Sequence, residues 1–338
     1  MNAHELLSDD GHAVLALCSN VGLPGGGDLA PFTLSEWNEL AGKIEGSPLR
    51  CPSALHGQSA SALAAALQLS TGEAERITRL LERSGRLAME LERLFGSGLW
   101  AVTRVDEYYP AKLRDTLKHQ APSVLFGAGD IQLLRRSGVA VIGSRNIDEA
   151  GSAFAQEVGR KCAVAKVAVV SGGARGTDRI AMQAALEADG VSFGVLADSL
   201  ERTVRTPDVR EFLLEGRLVL LTPYAPTAGF SVGAAMGRNK TVYGLSDFAV
   251  VVSSDFQTGG TWAGAVEALK ADWCPVFVRD GDGVPKGNPA LQKLGAMAMT
   301  ADDLANASDL PAWAKAQASQ PPVAKDLFDF ALRERAGK

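Results

Sequence analysis

The chain has 338 residues, 46% of them hydrophobic and 22% charged, with a net charge of −5. Those values describe an ordinary globular protein of more than one average domain, large enough to bury its own core. Four scattered cysteines (Cys18, Cys51, Cys162, Cys274) form no C-x-x-C pair and lie near no histidine cluster, so structural zinc, other metals and a disulfide framework are not expected.

That cysteine usage reads as a reducing, cytoplasmic setting. Residues 1–10 carry acidic side chains and no apolar run behind a basic stretch, unlike a signal peptide. No uncharged apolar segment approaches the length of a membrane span, so no membrane partner is expected. The acidic balance speaks against a protein coated in nucleic acid, but phosphate binding depends on where charge sits rather than on its total.

Residues 1–97 read as a helical region. In Gly72–Leu94, apolar Ile77, Leu80, Leu81, Leu87, Leu91 and Leu94 recur at three- and four-residue steps. Ser70-Thr71-Gly72-Glu73 looks like its start, with hydroxyls to cap and a carboxylate in the first turn. Before it, Val21–Gly27 (VGLPGGG) is too rich in glycine and proline for regular structure. Such a bundle serves as an interaction module or simply as packing.

Residues 98–300 form a second domain, of which 98–136 is a connecting extension. Leu99–Thr103 and Ser123–Phe126 are short strand candidates, separated by turns at Tyr109-Pro110 and Ala121-Pro122. From Gly138 onward, apolar β-branched runs alternate with helical stretches: Val139–Ile142, Val167–Val170, Phe193–Leu196, Leu218–Leu221, Phe248–Val252 and Val276–Val278. Near-continuous apolar strands signal a parallel sheet covered on both faces. The predicted fold is α/β: a Rossmann-like, doubly wound, mostly parallel sheet with an N-terminal helical region. Residues 301–338 complete the chain as a linker with Ser-Gln-Pro-Pro at 319–322 and a short helix over Lys325–Arg335.

Ligands of open parallel sheets bind outside the carboxyl ends of the strands. There the sequence places Gly143-Ser144-Arg145-Asn146, in which a sharp turn, a hydroxyl and a planar guanidinium suit a phosphate. The next loop carries Ser171, Gly172, Gly173, Arg175, Gly176 and Asp178 ahead of a helix over Ile180–Ala188. Paired glycines and a helix N-terminus make an anion cradle, although neither a Walker A nor a G-x-G-x-x-G pattern is present. Asp178 lines that cradle or caps its helix. A third segment, Phe230–Lys240, brings Arg238, Asn239 and Lys240 together beside small residues, a trio suited to a sugar-phosphate backbone. A fourth presents Thr258, Gly259, Gly260 and Thr261 before a helix, with Trp262 available to stack on a base or to pack.

These segments resemble the DprA/Smf family of DNA-processing proteins over about half the chain. The match includes VDEYYPAKL at 105–113, APSVLFG at 121–127, VAVIGSR, VVSGGARGTD, GRNKTVYGLS at 237–246 and TGGT at 258–261, in order. The resemblance implies single-stranded DNA as ligand, a homodimer, no cofactor, and partnership with a RecA-type recombinase or other proteins of a DNA-transaction or defence system. Carried over by position, Arg145, Ser171, Gly172, Arg175, Asp178, Arg238, Asn239 and Lys240 would line the DNA groove. The chain departs from the family pattern at Met182, where the family has histidine, at Ala235 and Met236 in place of Phe-Pro, and at Lys240 in place of arginine. Asp198–Pro207, with Arg202 and Arg205, replaces a Tyr-Pro loop, and the family's winged helix is not expected in the tail after Asp303.

The sequence therefore reads as a non-catalytic DNA-binding protein acting in DNA processing and recombination. His4, His12, His56 and His119 all precede the sheet domain, and no base, nucleophile or metal cluster gathers at the strand ends. The alternative is a nucleotide sensor or a nucleoside-monophosphate phosphoribohydrolase of the same fold group. It rests on a loose likeness of Thr258–Thr261 with Glu267 to a P-G-G-x-G-T-x-x-E loop, but Glu267 lies six residues past Thr261.

Overall fold

The computed structural model describes residues 3–23 and 29–319. The expected C-terminal helix over 325–335 and most of the glycine-rich loop at 21–27 lie outside the described residues, while the stretch from 301, expected as a linker, forms two capped helices, Ala301–Asn306 and Leu310–Ala318. Five helices come first: α1 Asp9–Cys18, α2 Leu34–Glu45, α3 Ala60–Leu67, α4 Thr71–Leu81 and α5 Ser84–Gly96. After β1 (Leu99–Thr103), α6 (Ala111–Leu117) and β2 (Val124–Ala128), strand and helix alternate. The order is β3 Gly138–Gly143, α7 Glu149–Val164, β4 Ala168–Ser171, α8 Thr177–Glu187, β5 Val191–Val195, α9 Leu200–Thr203, α10 Pro207–Leu214 and β6 Leu218–Thr222. Then come α11 Val232–Gly244, β7 Phe248–Ser253, α12 Gly259–Ala271, β8 Val276–Arg279, α13 Gly287–Lys293, β9 Met297–Met299, α14 Ala301–Asn306 and α15 Leu310–Ala318.

One nine-stranded sheet runs in the order β1-β2-β6-β5-β4-β3-β7-β8-β9. From β6 to β9 every pairing is parallel, while β1–β2 and β2–β6 are antiparallel. The doubly wound, mostly parallel sheet expected from the sequence is therefore present. Its strands read as continuous apolar runs because both faces are covered. In β3, Val139 and Val141 pack with Phe154 and Val158 of α7 on one face, and Ala140 and Ile142 with Val242 and Tyr243 of α11 on the other. β9, a three-residue edge strand of Met-Ala-Met, lacks the β-branched signature and was not expected.

The helical region packs on the α7 face, its leucines continuous with Leu99, Ala101 and Phe126 of the sheet. Asp106 fastens it there. One carboxylate oxygen accepts from Ser8 N–H (2.8 Å) and Ser8 O–H (2.6 Å), the other from Thr103 N–H and O–H (both 2.7 Å). Four donors satisfy a buried carboxylate, which makes such a clasp stable.

The periodic stretch 72–94 is two helices rather than one. Ser70 begins α4 with a capping box to Glu73. The chain then breaks at Glu82-Arg83, where Arg83 donates to Ser19 O at 2.7 Å and at short range to Ala16 O and Val21 O. These are carbonyls at the carboxyl end of α1, where a cation offsets the helix dipole.

Candidate anion-binding site

Strand order reverses at β3: β4 lies on one side and β7, reached only after three further crossovers, on the other. A crevice outside the carboxyl ends is expected at such a point. Ser144 N–H donates to Ser253 O at 3.0 Å, tying together the two loops that flank it.

The loop between β4 and α8 is locked onto the loop after β3. Thr177 donates to Ser144 O from its N–H at 3.3 Å and its O–H at 3.1 Å. Gly176 sits at φ +88°, and a Cβ there would come within 2.5 Å of Arg145 O and 2.6 Å of Ser144 O. Only glycine permits both the backbone and the close approach. Ser171 donates to Val141 O at 2.5 Å across the strand ends.

Asp178 is 6% exposed and does not cap its helix; Gly176 occupies that position. Its carboxylate accepts from Gly172 N–H at 3.1 Å and, more weakly, from Ala174 N–H at 3.4 Å, so it shapes the loop from within. Burial pushes the Asp178 carboxyl above its usual range, opposed by the Arg238 charge and the two amides. The amides of Gly173, Arg175 and Gly176 donate no hydrogen bond among the described residues. With the amino end of α8 they form the cradle.

Two guanidinium groups stand at its mouth. Arg145 is exposed, 5.7 Å from the centre of the Phe230 ring, and Phe230 is itself 54% exposed. Arg175 is exposed and donates to Asn146 Oδ1 at 3.1 Å. Neither forms an ion pair among the described residues.

Arg238, Asn239 and Lys240 do not present a common surface. They lie in the middle of α11, where successive residues fan out by about 100°. Arg238, 6% exposed, points into the sheet edge and donates to Val195 O. Burial lowers its guanidinium from the usual value, and Asp178 opposes this. Asn239 donates to Gly260 O at 3.2 Å, fixing the start of α12. Lys240 faces the other way, pairing with Glu267 at 2.7 Å and donating to Gln120 at 2.9 Å.

Thr258, Gly259, Gly260 and Thr261 open α12 beside this crevice, Thr258 and Gly259 being exposed. Phe256 meets Trp262 edge-on at 5.3 Å and stays 50% exposed. Sequence reasoning missed the support of this loop. Fully buried Asn288 accepts from Ser254 N–H at 2.9 Å and donates to Val252 O and Arg279 O. It also missed Tyr224, whose hydroxyl donates to Ala234 O at 3.0 Å and steadies the start of α11. No cluster of metal-ligating side chains occurs among the described residues.

A Rossmann-type α/β domain whose switch-point edge carries amide-rich loops and unpaired arginines is the class this geometry defines. Residues 100–308 match the DNA recombination-mediator protein A family, and the chain belongs to that family. It is 30% identical over 204 residues to the putative DNA processing protein DprA of Mycobacterium tuberculosis, covering 55% of this chain and 52% of that one. To protein Smf of Escherichia coli it is 32% identical over 158 residues, covering 45% and 41%. The chain thus spans about half the length of these curated relatives. DNA processing protein A of Streptococcus pneumoniae shares the fold, with a TM-score of 0.58 and 22% identity over 81% of this chain and 97% of that one. So does that of Helicobacter pylori, a structure described for its single-stranded DNA binding mode, with a TM-score of 0.51 and 23% identity over 65% and 95%.

Proposed function

We propose that the protein binds single-stranded DNA at this edge and acts in DNA processing during recombination, without catalysing a reaction on the strand. The observation that carries the reading is the pair of exposed guanidinium groups, Arg145 and Arg175, which have no ion-pair partner among the described residues and flank free loop amides. Backbone phosphates take charge-assisted bonds from such groups, and bases stack on exposed rings such as Phe230 and Phe256. The DNA-binding mode described for the Helicobacter pylori relative supports this choice of ligand. Ser144 and Thr258–Thr261 extend the contact surface, while Ser171, Gly172, Asp178, Arg238, Asn239 and Lys240 hold the loops and helices that form it. Family membership favours a cytoplasmic homodimer that hands DNA to a RecA-type recombinase.

Glu267 gives the phosphoribohydrolase reading no support. Its carboxylate is held by the Lys240 ammonium at 2.7 Å rather than by any residue of the cradle.

Titration of labelled oligo-dT tests the proposal. Replacing Arg145 or Arg175 with alanine weakens binding about tenfold and lowers the salt slope by about 0.7 for each phosphate no longer neutralised. Lys240→Ala leaves the affinity within about twofold. Unchanged affinity in both arginine variants would refute it.

A further inference from the structure

Beyond the cradle, the surface continues as a groove between the two parts of the chain. Next to Phe230 in the chain, a cleft of about 490 Å³ runs by the start of α11, lined by Ala228, Gly229 and Ser231 and also by Asn20 and Ala225. Asn20 and Ala225 also line a second, larger groove of about 860 Å³, whose opposite wall is α5 with Arg86, Met89 and Arg93. The two hollows thus share Asn20 and Ala225, and Phe230, whose ring meets Arg145, sits in the chain between Gly229 and Ser231 of the first.

Both walls are fixed. Ser199 N–H donates to Ala228 O at 2.8 Å and Glu201 N–H to Pro226 O at 3.1 Å, holding the floor to α9. Arg93 spans the gap to Glu201 at 2.6 Å and also bonds Glu90 at 2.7 Å, so its charge is already neutralised. Arg86, in contrast, is exposed and forms no ion pair among the described residues. Next to it, Met89 is 76% exposed, an uncommon position for a large apolar side chain.

We propose that the groove between α5 and the 225–231 segment carries the single strand onward from the cradle, with Arg86 taking a backbone phosphate and Met89 packing against a base. This rests on the reading of the cradle as a single-strand site. A free cation beside an exposed apolar side chain, continuous with an anion site, matches the alternation of charge and base face along a nucleic-acid strand. A folded apolar partner would leave Arg86 desolvated without a counter-charge. The helical region thereby lengthens the binding site as well as packing on the sheet.

The test compares labelled oligo-dT of about five and about twenty nucleotides, bracketing the site sizes of single-strand binders. The full chain is expected to bind the longer strand at least about tenfold more tightly. Arg86→Glu removes most of that gain and leaves the shorter strand unaffected, and Met89→Ser removes part of it. Arg136→Glu, an equal charge change at an exposed residue preceding β3 on the opposite sheet edge, preserves the gain. A length gain undiminished in Arg86→Glu, or no gain in the unaltered protein, overturns the groove while leaving the cradle standing. Failure of the shorter strand to bind, or an Arg145→Ala variant that binds it normally, overturns the cradle and the groove with it.

Discussion

The Arg238 guanidinium lies so close beneath Gly172 that a Cβ on the glycine would fall within it. The same glycine donates its N–H to Asp178, so two buried charges on different helices both bear on one residue of the cradle. Gly172→Ala is expected to displace Arg238 from Val195 O, costing about 1–3 kcal/mol of stability. It also weakens oligonucleotide binding, because the displaced loop no longer aligns its free amides. Denaturant unfolding and a binding titration on the same sample check both effects.

Arg83 is the cation that ends α1. Burial pushes its guanidinium down to about 10, and three carbonyls depend on it for a donor. Arg83→Met keeps the unbranched stem of the side chain and removes the guanidinium donors, so a loss of about 3 kcal/mol is expected. Hydrogen exchange is expected to accelerate in α1 and at the α4–α5 break, with the sheet strands unaffected.

Glu36 is held down to about 2 by its bonds to Arg76 and to the Thr33 backbone. A carboxyl depressed on folding contributes stability above its unfolded value of about 4.5, and that contribution disappears as the pH falls towards 2. The pair is partly exposed, so the gain is about 0.5 kcal/mol. The melting temperature of Glu36→Gln is expected to be lower than that of the unaltered chain at pH 7 and to converge with it near pH 2.

The β3–β8 strands were legible because a sheet covered on both faces demands apolar β-branched runs, and their order along the chain located the loops that bear Arg145 and Arg175. What the sequence concealed depended on partners distant in the chain. The break at Arg83 follows from carbonyls more than sixty residues away, which no helical periodicity reports. Arg238, Asn239 and Lys240 looked like one basic cluster until their helix separated them, although Ser231, which accepts from Ala234 N–H at 3.0 Å, was a legible capping signal. Asn288 supports the Ser254 loop from a helix beyond the next strand and carries no local mark of that role. Phe230 stood in plain view, but only the fold brings its ring to Arg145.

The crystal structure of the protein with oligo-dT would test the central claim most directly. Phosphate oxygens are expected within hydrogen-bonding distance of the Arg145 and Arg175 guanidinium groups and of the Gly173 and Gly176 amides. A strand ordered elsewhere on the surface, touching neither the 143–145 nor the 171–176 loop, would contradict it.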